Sequence, residues 1–216
     1  MTEHNFEHMR RAMVASQLRT TGVNDPRVIA AMGAVPRERF VPADRVSTAY
    51  ADALIPLSGG RALNSPMGLG RMLTEARLAG AEKALVIGVA TGYAAAVAAR
   101  LTGSVVALEE DAALAASARQ ALADSGVQVV EGPLAAGWAA GAPYDFILID
   151  GAVEFVPQAI IDQVADNGQL AAAILDNNVP RLSVGRVVGG AFGATAYSDA
   201  AAPVLPGFTK PRGFSF

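Results

Sequence analysis

The spacing of apolar and polar positions changes character near residue 80. Phe6, Met9, Met13, Val14 and Leu18 recur at helical intervals with charges between them, which predicts a helix over residues 6–19. Thr20-Thr21-Gly22 closes it. Asp25-Pro26 then opens another, because an acidic cap followed by proline at the first helical position suits a helix start. That helix covers Arg27–Met32 and runs out at Ala34-Val35-Pro36. Pro36, Pro42, Pro56, Gly59-Gly60 and Pro66 mark an irregular stretch, and helical spacing returns with Leu69, Met72, Leu73, Ala76 and Leu78. No strong strand is expected in this first third.

From residue 83 short apolar runs alternate with alanine-rich helical segments. Strands are expected at Ala84–Ile87, Ser104–Leu108, Val127–Val130, Asp145–Ile149 and Leu170–Leu175. Helices are expected at Tyr93–Leu101, Ala112–Ala123 and Val156–Val164. Such alternation builds a parallel, doubly wound sheet. Leu182–Val188, Gly189-Gly190 and Ala191–Tyr197 read as a closing hairpin. The 216 residues are expected to form a single domain, with a helical region at 1–80 and the sheet at 81–216.

Composition narrows the chemistry. The chain has no cysteine, and its two histidines, His4 and His8, lie within the first eight residues. Disulfides, thiolate nucleophiles, cysteine–zinc sites and a Ser–His–Asp triad are therefore excluded from the body of the chain. His4 and His8 share a helical spacing but read as a solvated terminus, and no metal site is expected. With net charge −3 and no basic cluster, nucleic acid is an unsuitable partner. The apolar runs are too short to span a membrane, and the polar, mixed-charge residues 1–10 do not resemble a secretory signal, so a cytoplasmic location is expected. Alanine, 45 residues by count, suits either face of a helix and blurs element ends.

In an open parallel sheet, ligands bind at the carboxyl ends of the strands. The loop Gly88-Val89-Ala90-Thr91-Gly92 follows the first predicted strand, where glycine permits a tight turn and close approach of a ligand. Glu109 lies 21 residues after Gly88 (109 − 88), at the end of the second strand, where a carboxylate holds a ribose diol. No glycine pattern fits a dinucleotide pyrophosphate, so a dehydrogenase rests on fold analogy alone. S-adenosylmethionine uses the same loop and acid without a pyrophosphate. Glu109-Glu110-Asp111 reads as a strand end entering a helix rather than a metal site. Trp138 and Tyr144 read as packing, and Phe208, Phe214 and Phe216 as cover for a sheet edge or a partner surface.

Several stretches carry a resemblance. They are Met13-Val14-x-x-Gln17-Leu18, Gly22-Val23-x-Asp25-x-Arg27-Val28, Val35-Pro36-Arg37-Glu38-x-Phe40-Val41-Pro42, Ala49-Tyr50-x-Asp52 and Leu54-x-Pro56. Arg71-Met72, Gly88 to Val97, Ala142-Pro143-Tyr144-Asp145 and Asn167-Gly168-x-Leu170 continue them in order. Together they resemble the protein-L-isoaspartate O-methyltransferases. The resemblance implies a class I S-adenosylmethionine methyltransferase fold (Rossmann-like, mostly parallel, with a helical N-terminal region and a C-terminal antiparallel hairpin). It implies methylation of the α-carboxylate of L-isoaspartyl residues in damaged proteins or peptides, with S-adenosylhomocysteine as product, by a monomer or homodimer. Gly88, Ala90, Gly92, Glu109 and Asp150 would hold the cofactor, and Asn64 and Ser65 would face the acceptor.

The reaction suits the composition, since a carboxylate is already ionised at pH 7 and needs no base. Some positions differ from the family's usual pattern. The substrate loop, often Gly-Gln-Thr-Ile-Ser-Gln-Pro, reads Gly60-Arg61-Ala62-Leu63-Asn64-Ser65-Pro66. Val86 replaces an acid, Ala90 a glycine, and Gly132-Pro133-Leu134 stands where Gly-Asp-Gly is usual. The alternative these differences raise is a weak or inactive homologue serving as a binding or assembly module.

Overall fold

A computed structural model describes residues 3–210 of the chain. The first layer is helical. Helix α1 (Glu3–Met13) passes through a π-turn at Val14–Leu18 and a 3-10 turn at Arg19–Thr21, and stops at Gly22, whose φ of 90° suits a residue without Cβ. Helix α2 (Pro26–Ala34) begins as its sequence demands: the Asp25 carboxylate accepts from the Arg27 N–H at 2.7 Å and Pro26 needs no partner. The irregular stretch holds short 3-10 turns and one small antiparallel ladder, β1 (Ile55–Pro56) with β2 (Ala62–Leu63). That ladder departs from the strand-free expectation, because two residues per strand are too few to show alternation. Helix α3 (Pro66–Ala76) follows, capped by the Ser65 hydroxyl, which accepts from the Gly68 N–H at 3.1 Å.

The remainder alternates: β3 (Lys83–Ile87), α4 (Tyr93–Ala98), β4 (Ser104–Glu109), α5 (Ala112–Ala121), β5 (Gln128–Glu131), β6 (Tyr144–Val153), α6 (Gln158–Ile161), β7 (Val164–Asp176), β8 (Val179–Val188) and β9 (Ala191–Asp199). The seven-stranded sheet has the order β5-β4-β3-β6-β7-β8-β9. Strands β3 to β7 are parallel, and β8 and β9 are antiparallel to their neighbours. The parallel, doubly wound core and the closing hairpin are therefore both present.

Several boundaries differ from expectation: α4 ends at Ala98 rather than Leu101, and β6 runs on to Val153 rather than Ile149. Helix α6 spans four residues, not Val156–Val164, and β7 begins at Val164 rather than Leu170. The apolar residues Ile160, Ile161 and Val164 fit either period, and pairing of Val164 with Tyr144 decides for the sheet. Between Val164 and Gln169 the strand takes five steps while β6 takes two, and Asn167 absorbs the excess at φ 62°. The hairpin is also larger than expected. Asn177 and Asn178, both at positive φ, turn β7 directly into β8, which makes the C-terminal part a three-stranded meander.

Apolar side chains cover both faces of the sheet. One cluster joins α2, α3 and α4 to Val86, Phe146, Leu148 and Ala171. The other holds Leu85, Ile87, Ile147, Ile149, Ile160 and Phe208. Phe208 thus packs on a sheet face, while Phe214 and Phe216 lie outside the described residues. Tyr144 is fully buried and donates to the Trp138 carbonyl at 2.8 Å, a packing role for both rings. His8 is exposed, and the side chain of His4 lies outside the described part. Among the described residues, no helix is long and apolar enough to cross a membrane, and no group of three acids or histidines is placed to hold a metal.

Candidate active site

The strand ends at one edge of the sheet converge with the loop before α3. After β3 the chain turns sharply: Gly88 has φ 76°, Ala90 φ 51° and Gly92 φ 103°. The N–H groups of Gly88 and Val89 bond to the Leu108 carbonyl, Ala90 to Glu109 and Gly92 to the Val89 carbonyl. Four amides of the turn are thus bonded within the protein.

Glu109, at the end of β4, is completely buried. Its Oε2 accepts from the Ala90 N–H at 2.7 Å, and its Oε1 accepts from the N–H groups of Glu110 at 3.0 Å and Asp111 at 3.2 Å. Three backbone donors therefore fix this carboxylate from one side. The other side is taken by Arg61, whose Nη1 donates to Oε1 and whose Nη2 donates to Oε2 at 3.1 Å. Arg61 Nη2 also donates to the Gly88 carbonyl at 3.3 Å, and its Nε has no partner. Arg61 is 5% exposed.

Asp150 stands in a bulge. Between Leu148 and Ala152, β6 takes four steps against two in β7, so Ile149, Asp150 and Gly151 are displaced from the ladder. A bulge re-aims a side chain at a strand end, here toward the loop before α3. Asn64 Nδ2 donates to Asp150 Oδ1 at 3.0 Å, and Asn64 Oδ1 accepts from the Ser65 N–H at 2.8 Å. Burial pushes the Asp150 carboxyl up to about 6, against the hydrogen bond from Asn64 and the nearby cations Arg37 and Arg61.

Arg37 supports this cluster from the helical layer. Fully buried, it donates from Nε to the Ala49 carbonyl and from Nη2 to the Asn64 carbonyl, each at 2.7 Å, and its guanidinium lies 4.6 Å from the Tyr93 ring centroid. Burial lowers its basicity. The tail after β9 closes the site on another side. Ala152 N–H donates to the Pro203 carbonyl at 2.7 Å and Leu205 N–H to the Ala152 carbonyl at 2.9 Å, which seats Leu205 over both Gly88 and Gly151. A Cβ on Gly88 would come within 2.9 Å of Leu205, and one on Gly151 within 2.6 Å.

The structure thus brings Asn64 next to Asp150 and Glu109 next to Ala90, with Gly88 and Gly92 framing the turn. Gly92 packs so closely that a Cβ there would lie 2.8 Å from Leu122. Three participants escaped the sequence reading. Arg61 and Leu205 were not singled out, since an arginine beside two glycines reads as solvated and a leucine between prolines reads as loop. Arg37 was visible only as one letter of the resemblance. A cavity of about 630 Å³ lies beside the turn, lined by Phe40, Leu57, Thr91 and Leu114 among others, but it meets none of Asn64, Glu109 or Asp150. A shallow depression is lined by Glu110, Asp111, Gly132 and Pro133, beginning one residue after Glu109 in the chain, and Glu109 itself does not line it.

The residues present fit a nucleoside. A buried acid held by three amides stands beside a positive-φ turn, and a depression opens at Gly132-Pro133, although Arg61 holds the acid's remaining positions and Pro133 offers no side-chain hydrogen bond.

Comparison with known proteins agrees with this geometry. The family model for protein-L-isoaspartate(D-aspartate) O-methyltransferase matches residues 9–186. Protein-L-isoaspartate O-methyltransferase 1 of Rhodopseudomonas palustris is 40% identical over 182 residues, covering 82% of this chain and 74% of its own. The Koribacter versatilis protein-L-isoaspartate O-methyltransferase is 36% identical over 193 residues, covering 88% and 87%. Among solved structures, a protein-L-isoaspartate O-methyltransferase superposes with a TM-score of 0.80 at 21% identity, over 92% of this chain and 66% of that one. A Plasmodium falciparum structure described as a complex with S-adenosyl-L-homocysteine superposes with a TM-score of 0.74 at 16% identity, over 91% and 97%. With relatives this close over most of its length, the inactive-module alternative is not favoured. This chain belongs to the protein-L-isoaspartate O-methyltransferase family.

Proposed function

We propose that this chain methylates the α-carboxylate of L-isoaspartyl residues in damaged proteins and peptides, using S-adenosylmethionine. One observation carries the reading beyond family membership: Glu109 is buried at the end of β4 and fixed by the amides of Ala90, Glu110 and Asp111. Such a carboxylate is oriented to accept two vicinal hydroxyls in the positions that Arg61 holds.

When bound, the cofactor supplies a methyl group on a sulfonium, a leaving group that needs no protonation. The chain's own residues then have three tasks. Glu109 accepts the ribose hydroxyls, while Gly88, Ala90 and Gly92 form the positive-φ turn beside the nucleoside. Asn64 and Ser65 face the acceptor. Ser65 Oγ accepts from Gly68 N–H, which leaves its hydroxyl proton to donate, and one Asn64 amide proton remains after its bond to Asp150. Asp150, bonded to Asn64, is the second polar anchor on the cofactor side and also fixes the Asn64 amide. Proximity and exclusion of water supply the rate, because the acceptor oxygen is already anionic.

We place this reaction in the cytoplasm, in one domain acting as monomer or homodimer, with residues 1–80 on the substrate side and 81–216 on the cofactor side. The cysteine-free composition and the cluster shared by α2, α3 and the sheet support that assignment. The test is transfer of labelled methyl to an isoaspartyl hexapeptide, with the aspartyl isomer as control. Ser65→Ala should lower kcat/KM ~10-fold and lower stability by about 1 kcal/mol through loss of the cap. Equal labelling of both peptides, or none, would refute the reading.

A further inference from the structure

Both carboxylate oxygens of Glu109, the acid read as the ribose acceptor, are held by the guanidinium of Arg61. An ionised carboxylate offers about four acceptor directions. In Glu109 three of these receive the amides of Ala90, Glu110 and Asp111, and Arg61 adds two more donors. The carboxylate is full. A diol can reach it only where Arg61 now stands.

We propose that Arg61 is an internal competitor for the cofactor's ribose, so that cofactor entry exchanges one ligand of Glu109 for another. The proposal rests on the reading of Glu109 as the ribose acceptor. Three further observations support it. Arg61 lies on the side of Gly88 that a ligand approaches: a Cβ on Gly88 would be 3.4 Å from Arg61 Nη2 and 2.9 Å from Leu205. The arginine is incompletely satisfied, since its buried Nε has no partner. The segment that carries it can also give way. Arg61 sits between the two-residue strands β1 and β2, after a turn in which Gly59 and Gly60 have φ of 63° and 72°. This ladder is short and separate from the seven-stranded sheet, so its opening would break the Leu57–Arg61 and Arg61–Ser58 backbone bonds and none within that sheet.

Bidentate pairing also explains why an arginine does this and a lysine would do it less well. The planar fork meets both oxygens of Glu109 at once, whereas an ammonium would meet them as a point charge. The consequence is a protein whose cofactor affinity lies below what its acid and turn alone would give.

Calorimetric titration with S-adenosylhomocysteine, which needs no turnover, tests this on the full chain. Arg61→Gln is expected to bind at least ten-fold more tightly than the wild type, and Arg61→Lys to fall between them. A crystal structure of the wild type with S-adenosylhomocysteine is expected to show the guanidinium withdrawn from Glu109; this reading survives even if a variant fails to fold. Equal or weaker binding by Arg61→Gln, or a complex that keeps the Arg61–Glu109 pair, overturns the proposal and leaves the cofactor reading intact. If neither wild type nor Arg61→Gln gives heat at millimolar ligand, both readings fall.

Discussion

Asp150 shows how one buried carboxyl joins chemistry to stability. Burial raises its pKa from 3.8 to about 6, and Glu109 nearby pushes the same way, while Asn64, Arg37 and Arg61 act against it. A raised acid binds more protons folded than unfolded between those two values, so stability falls as pH climbs from about 4 through about 6. Asp150→Asn removes that cost and keeps an oxygen for Asn64 Nδ2. The variant should be more stable than wild type by about 1–3 kcal/mol at pH 8, and the gap should close as pH drops below about 4. Denaturant midpoints across this range check it; a gap independent of pH would contradict the account. At this scale the sequence was partly readable. Glu109 and Gly88 announce themselves by spacing, since a strand end and a turn leave a linear trace. Arg61 and Leu205 do not, because their partners are 48 residues away at Glu109 and in the turn after β3.

Among the elements, the entry to α4 carries the clearest local conflict. Ala90 holds a left-handed conformation at φ 51°, in a turn where its neighbours Gly88 and Gly92 adopt positive φ without steric cost. Ala90→Gly should raise stability by about 0.5–1 kcal/mol, because relief of strain exceeds the added freedom of the unfolded chain. Thermal melts of the two proteins at equal concentration decide the sign. The elements themselves were well marked where one period ruled, as in β3 and β4, whose apolar runs are wholly buried in the sheet. They were poorly marked around residues 156–169. There an apolar spacing common to helix and strand gave a helix too long, and pairing with Tyr144 fixed the outcome. Long-range pairing leaves no local mark.

Across the molecule, the helical layer and the sheet are joined through polar as well as apolar contacts. Arg37 donates to the carbonyls of Ala49 and Asn64, and Asn64 in turn holds Asp150 at the end of β6. Thr91, in the turn after β3, donates to the Phe40 carbonyl at 2.5 Å. Arg37→Met should therefore cost about 2–4 kcal/mol, since two buried carbonyls lose their donor and the methionine regains only packing. Methyl transfer should weaken as well, because Asn64 loses its backbone anchor. Urea denaturation read by tryptophan fluorescence (Trp138 is the one tryptophan) measures the first effect. A loss under 1 kcal/mol would show that the arginine is dispensable to the junction. The layered architecture was legible from the break in periodicity near residue 80, but this junction was not, since its arginine reads as surface. The seating of Leu205 over Gly88 and Gly151 has a consequence for descent. These positions, remote in the chain, share one volume: bulk at residue 151 meets both Leu205 and the Pro203 carbonyl, and bulk at residue 88 meets Leu205 on a backbone already at φ 76°. Mutational paths through this region are ordered: the tail must change before position 151 can.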